Sequence, residues 1–65
     1  MSQRETNLLW LRDTLEQLVA SQQQLEWAED AEAVGVLTQT MIRDLDSCRR
    51  LCLEIQRRSQ LQSAA

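Results

Sequence analysis

Two apolar stripes in this 65-residue chain run out of phase with each other, and that mismatch constrains the fold more than any other feature. The first runs through Leu8, Leu11, Leu15, Leu18 and Leu25, in steps of three and four, with Gln22 in the missing slot. The second runs through Val34, Leu37 or Thr38, Met41, Leu45, Cys48, Cys52 and Ile55, flanked by Leu51. Each is the seam of a helix that packs on another helix. Extended without a break, the first frame would place Glu29, Glu32, Val36, Gln39, Arg43 and Asp46 in its core slots. One straight rod would therefore show apolar seams on two different sides. A chain that doubles back at Glu29-Asp30 brings both seams onto one interface. Leu25 then stands level with Val34, Leu18 with Met41, Leu15 with Leu45, Leu11 with Cys48, and Leu8 with Leu51 and Cys52.

Local signals fit that arrangement. Ser2 and Glu5 have the spacing of a capping box. Asp30 is the expected cap of the second helix, and Glu32 suits its positive end. The reading is one all-α domain, an antiparallel two-helix hairpin. Helix 1 covers about residues 3–28, the turn about 29–30 and helix 2 about 31–60, with a frayed tail at about 61–65. Gly35, the only glycine, then lies inside helix 2. It costs about 1 kcal/mol there relative to Ala, and close approach of the helices is its expected reason. The alternative is that Gly35 ends helix 1 before a longer loop.

Composition agrees with helices and with little else. There is no proline, and Leu, Gln, Glu, Arg and Ala, all good helix formers, dominate. A hydrophobic content of 43% is too high for a disordered chain. A lone hairpin of this size cannot close a core around itself, so pairing into a homodimeric antiparallel four-helix bundle is expected. The longest apolar run, Leu8 to Leu11, falls far short of the ~20 residues a membrane span needs. The opening residues lack the features of a secretion signal, and two cysteines four apart are no disulfide framework. A cytoplasmic location is expected.

Residues for catalysis are scarce. The chain has no His, Lys or Tyr, so no enzyme, cofactor or small-molecule substrate is expected. Of the Ser-Gln-Glu-Leu-Asp signature of small two-helix phospho-aspartate phosphatases, Ile42 to Asp46 keeps only the Leu-Asp end. Cys48 and Cys52 could offer two thiolates to a metal shared between chains, or pack as small hydrophobes. Packing is the expectation, with no metal site. Arg43, Arg50 and Arg57 recur every seven residues and form a possible contact for RNA or another anion. Asp44, Asp46 and Glu54 interleave with them, and Asp46–Arg50 and Glu54–Arg58 have ion-pair spacing. The net charge of −3 provides no bulk attraction to nucleic acid.

Charge is uneven along the hairpin. Glu26, Glu29, Asp30 and Glu32 mark the turn end, and Arg4, Arg49, Arg50, Arg57 and Arg58 the open end. Off the seams lie Leu9, Trp10, Val19, Trp27, Ile42 and Leu53, the candidates for a dimer contact or for a contact with another protein. The layout of two helices around an Asp30-Ala31 turn, at this length, resembles that of the plasmid RNA-regulating Rop proteins. That resemblance implies a four-helix dimer and, by analogy, RNA regulation. In that family polar and basic residues of helix 1 around an aromatic form the RNA face. Helix 1 here has only Arg4 and Arg12 as bases, against four acids, so no residue role carries over. The expected function is therefore a non-enzymatic protein-interaction module, such as a small regulator, adaptor or co-chaperone. The alternatives are a Rop-like RNA-binding regulator and a structural subunit of a larger helical assembly.

Overall fold

The computed structural model describes residues 2–63, with side chains through Leu61. Two helices pack against each other as a hairpin, α1 over Gln3–Trp27 and α2 over Ala31–Ser63. The body measures 53 × 18 × 13 Å, a slab one helix thick. Residues 61–63 continue α2, whereas Ala64 and Ala65 of the expected frayed tail lie outside the described residues.

Each helix starts where a side chain can take its orphan amides. The Ser2 hydroxyl accepts from the Glu5 amide at 3.1 Å and donates to the Glu5 carboxylate at 3.3 Å. Asp30 accepts from the Ala33 amide at 2.6 Å through its carboxylate and from the Val34 amide at 3.1 Å through its carbonyl. Ala28 ends α1 in an extended conformation, its amide bonded to the Leu25 carbonyl at 3.2 Å. Among the described residues no backbone φ is positive, so the reversal needs no glycine.

Gly35 is helical, and a Cβ built on it meets nothing within 4 Å. Close helix approach, its expected reason, is therefore not what this glycine provides. Gly35→Ala removes backbone freedom from the unfolded chain without creating a clash. It is expected to stabilise the fold by about 0.5–1 kcal/mol, read as a rise in the thermal midpoint.

The inside of the hairpin is unexpectedly polar. On α1 the buried residues are Asn7, at 4% exposure, Thr14 and Ser21, and on α2 the buried residue is Cys48, at 9%. Leu11, Leu18 and Leu25 are half-buried beside them, as are Leu37, Met41, Asp44, Leu51 and Ile55 on α2. Five residues expected inside the seam stand exposed instead: Leu8, Leu15, Val34, Leu45 and Cys52. The reason is rotational. Asn7, Thr14 and Ser21 are small and seven residues apart, so a stripe one position before Leu8, Leu15 and Gln22 faces the partner helix. Small side chains let the backbones approach, and the leucines are turned to one side. On α2 the same rotation brings in Asp44 rather than Leu45. The Thr14 hydroxyl is satisfied within its own helix, donating to the Trp10 carbonyl at 2.9 Å. Asn7 accepts from Gln3 Nε2 at 3.1 Å, but its own Nδ2 and Asp44 Oδ2 are buried without a partner.

Candidate interaction faces

The rotation gives the slab two unlike sides. On one, Leu8 and Leu11 of α1 border a shallow groove with Cys52, Ile55 and Gln56 of α2. On the other, Trp10 borders a cleft with Ser47, Arg50 and Leu51. Seven-residue steps keep a helical side chain on nearly the same azimuth. From Leu8 they lead to Leu15 and Gln22, and from Cys52 back to Leu45 and Thr38. The groove side therefore carries a continuous strip of exposed Leu8, Leu15, Val34, Leu45 and Cys52, floored by the half-buried seam leucines.

The six off-seam residues do not form one patch. Val19, one turn beyond Leu15, and Ile42, one turn before Leu45, stand at the edges of the leucine strip. Trp10 lies on the opposite side, and Leu9, Trp27 and Leu53 point outward by the same helical geometry. Trp27, at 84% exposure, is the most open of the large apolar residues.

The arginine ladder is partly neutralised on its own helix. Arg50 pairs with Asp46, its Nε donating at 3.0 Å. Glu54 receives Arg57 at 3.0 Å and Arg58 at 2.7 Å. On α1, Arg12 stands 3.8 Å from Glu16. The hydrogen bonds from Arg57 and then Arg58 lower the Glu54 pKa below its usual value. A group whose pKa is lower in the folded state adds stability above the unfolded-state pKa and loses it as pH falls through the folded value. The Glu54 carboxyl is thus expected to stay ionised to below the ordinary Glu midpoint of about 4.3. An NMR titration of the Glu54 side-chain carboxyl would check this, and a midpoint at or above the ordinary value would count against the pairing.

Both cysteines are free thiols. Burial, then Cys52 and Asp44, raises the Cys48 pKa, which disfavours a reactive thiolate. Among the described residues, no three His, Cys, Asp or Glu side chains gather as a metal ion would need. Nor is any described helix long and apolar enough to cross a membrane.

Comparison with protein-family models, curated proteins and solved structures finds no match. The functional argument therefore rests on the two faces. Gln22, whose slot the sequence leaves without an assigned role, is exposed and donates to Glu26 at 2.6 Å. The residues that sequence reasoning missed are Asn7, Thr14, Ser21 and Asp44. For the first three the signal is the seven-residue recurrence of small residues at 7, 14, 21 and 28, which the leucine stripe overshadows, whereas nothing in the sequence marks Asp44.

Proposed function

We propose that this chain is a non-enzymatic protein-interaction module that works in the cytoplasm as a self-associated helical bundle, a homodimer of hairpins. One observation carries the reading: Leu8, Leu15, Val34, Leu45 and Cys52, apolar residues of the two seams, stand exposed along one side of the hairpin. Surface area gives the scale. The chain exposes 5292 Å², about a thousand Å² more than the ~4,200 Å² typical of a folded 7.5 kDa monomer. That excess, together with the exposed leucine strip, favours a partner. Once the leucine side is covered, the Trp10 cleft and the outward Trp27 remain for a second protein, as regulators and adaptors require. The RNA alternative is weakened by the ion pairs that occupy Arg50 and Arg57.

The test is sedimentation equilibrium combined with circular dichroism over a dilution series. Two chains per particle, with helicity falling on dilution, is the expected result. A fully helical monomer at low micromolar concentration would remove the basis for the proposal.

A further inference from the structure

Resting on that reading, we infer that the occupant of the leucine side is a second copy of this chain, laid face to face with its turn at the opposite end. Leu15 meets Leu15, and Leu45 meets Leu45, across the two-fold axis. The placement follows from where the apolar strip is centred. Leu8 and Cys52 lie level in one groove, so seven residues toward the turn Leu15 lies level with Leu45, near the middle of the 53 Å body. The strip extends about equally far from this point, to Ile55 at one end and Leu25 and Val34 at the other. A two-fold axis through its centre and across the helices therefore maps the strip onto itself and stacks α1 on α1 and α2 on α2.

Two face-to-face arrangements satisfy the symmetry, and charge separates them. With both turns at one end, α1 would lie on the second copy's α2, aligning Leu15 with Leu45 and Gln22 with Thr38. This arrangement matches polarity well. It also gathers Glu26, Glu29, Asp30 and Glu32 of both copies at one end. No base lies nearby, because residues 13–42 hold six acids and no arginine. The remaining residues hold all seven arginines against four acids, so the other end would concentrate like charge as well. Reversing one copy sets each acidic turn beside the other's Arg4 and beside Arg57 and Arg58, which share the single carboxylate of Glu54 and keep one net positive charge between them. The cost is that Gln22 faces Leu8 and Thr38 faces Cys52. Both are modest mismatches near the edge of the strip, where long or small polar side chains still reach water. Opposed charge ends therefore outweigh the better polarity match. The interface also has room for the second copy. The broad face of the 53 × 18 Å slab is about 950 Å² in plan, so two copies laid face to face bury roughly 2,000 Å² in total, the area of a stable pair.

The experiment uses the full chain with Cys48→Ala and Cys52→Ala, a spin label on Ala31→Cys beside the turn, and pulsed dipolar spectroscopy. Ala31 is exposed and uncharged, so the label disturbs neither the strip nor the charge pattern. Opposed turns, each about 15 residues from the axis at ~1.5 Å per residue, predict a label separation of roughly 40–50 Å. Adjacent turns predict less than about 25 Å. The long distance in a sample that sediments as a dimer supports the inference. The short distance in a dimer overturns the orientation and leaves self-association standing. Loss of dipolar signal in a sample that sediments as a monomer overturns both, provided the unlabelled native chain is also monomeric. Larger particles overturn the two-fold pair. The choice of face is read separately with Val36→Glu, since Val36 is exposed and borders Gln24 and Ala33 away from the groove of Leu8 and Cys52. This variant should dimerise as the native chain does, and its loss of dimer would place the contact on the wrong side.

Discussion

Replacing Leu45 with glutamate is expected to break the proposed pair of hairpins into monomers, weakening self-association at least a hundredfold. Within one hairpin Leu45 is 56% exposed and touches the seam only at its edge. Glu is nearly as good a helix former as Leu, so the helix loses little. In the proposed pair the same position lies on the two-fold axis and is buried in both copies. Burial of a leucine contributes about 1.5–3 kcal/mol, and the change is made twice. Two carboxylates would also face each other without a base, a further penalty. Each 1.4 kcal/mol is tenfold in affinity, so the sum comfortably exceeds two orders of magnitude. Sedimentation equilibrium of the variant and the native chain reads the effect directly. A variant that still sediments as two chains would mean that Leu45 lies outside the contact.

The second large effect concerns the hairpin's own interior. Asp44 is half-buried on the inner side of α2, and its Oδ2 has no hydrogen-bond partner. A buried polar atom left unsatisfied costs about 1–3 kcal/mol. Aspartate is also a poorer helix former than leucine by roughly half a kcal/mol. Asp44→Leu is therefore expected to stabilise the protein by about 1–3 kcal/mol. For a domain of this size each kcal/mol moves the thermal midpoint by about 4–8 °C, so a rise of several degrees should appear in a melting curve. Asp44→Asn separates charge from packing. It keeps the shape and the polarity, so it should recover only a small part of the gain. A lower midpoint for Asp44→Leu would show that the carboxylate has a partner in the assembled protein, which would make it an interface residue.

The polar seam and the leucine strip have a common origin. A hairpin that buried its leucines inside would have little reason to associate, because its outer faces would be polar. Here the seam residues Asn7, Thr14 and Ser21 allow the helices to sit close while contributing little apolar burial. Leu11, Leu18 and Leu25 still line the seam, but Leu8, Leu15, Val34 and Leu45 are left on the surface. On this account folding and pairing are one event, since only the second layer covers Leu8, Leu15 and Leu45.

Much of the architecture was legible in the residues. The two stripes point in incompatible directions unless the chain doubles back, and capping chemistry at Ser2 and Asp30 sets where each helix begins. These are local and periodic properties, which depend on a residue's near neighbours along the chain. The phase of each helix about its own axis was not legible in the same way. A leucine stripe marks a side that must leave water, but it does not say whether the partner is the other half of the hairpin or another molecule. Small polar residues at 7, 14 and 21 take the innermost positions instead, and they do so only when a second helix lies against them. Likewise Gly35 reads in the sequence as a point of close contact, whereas the space around it is open. Sequence alone determined that this protein is two helices joined at Asp30. Only the tertiary structure decided which residues those helices turn toward each other, because rotation about a helix axis is set by packing across space and not by order along the chain.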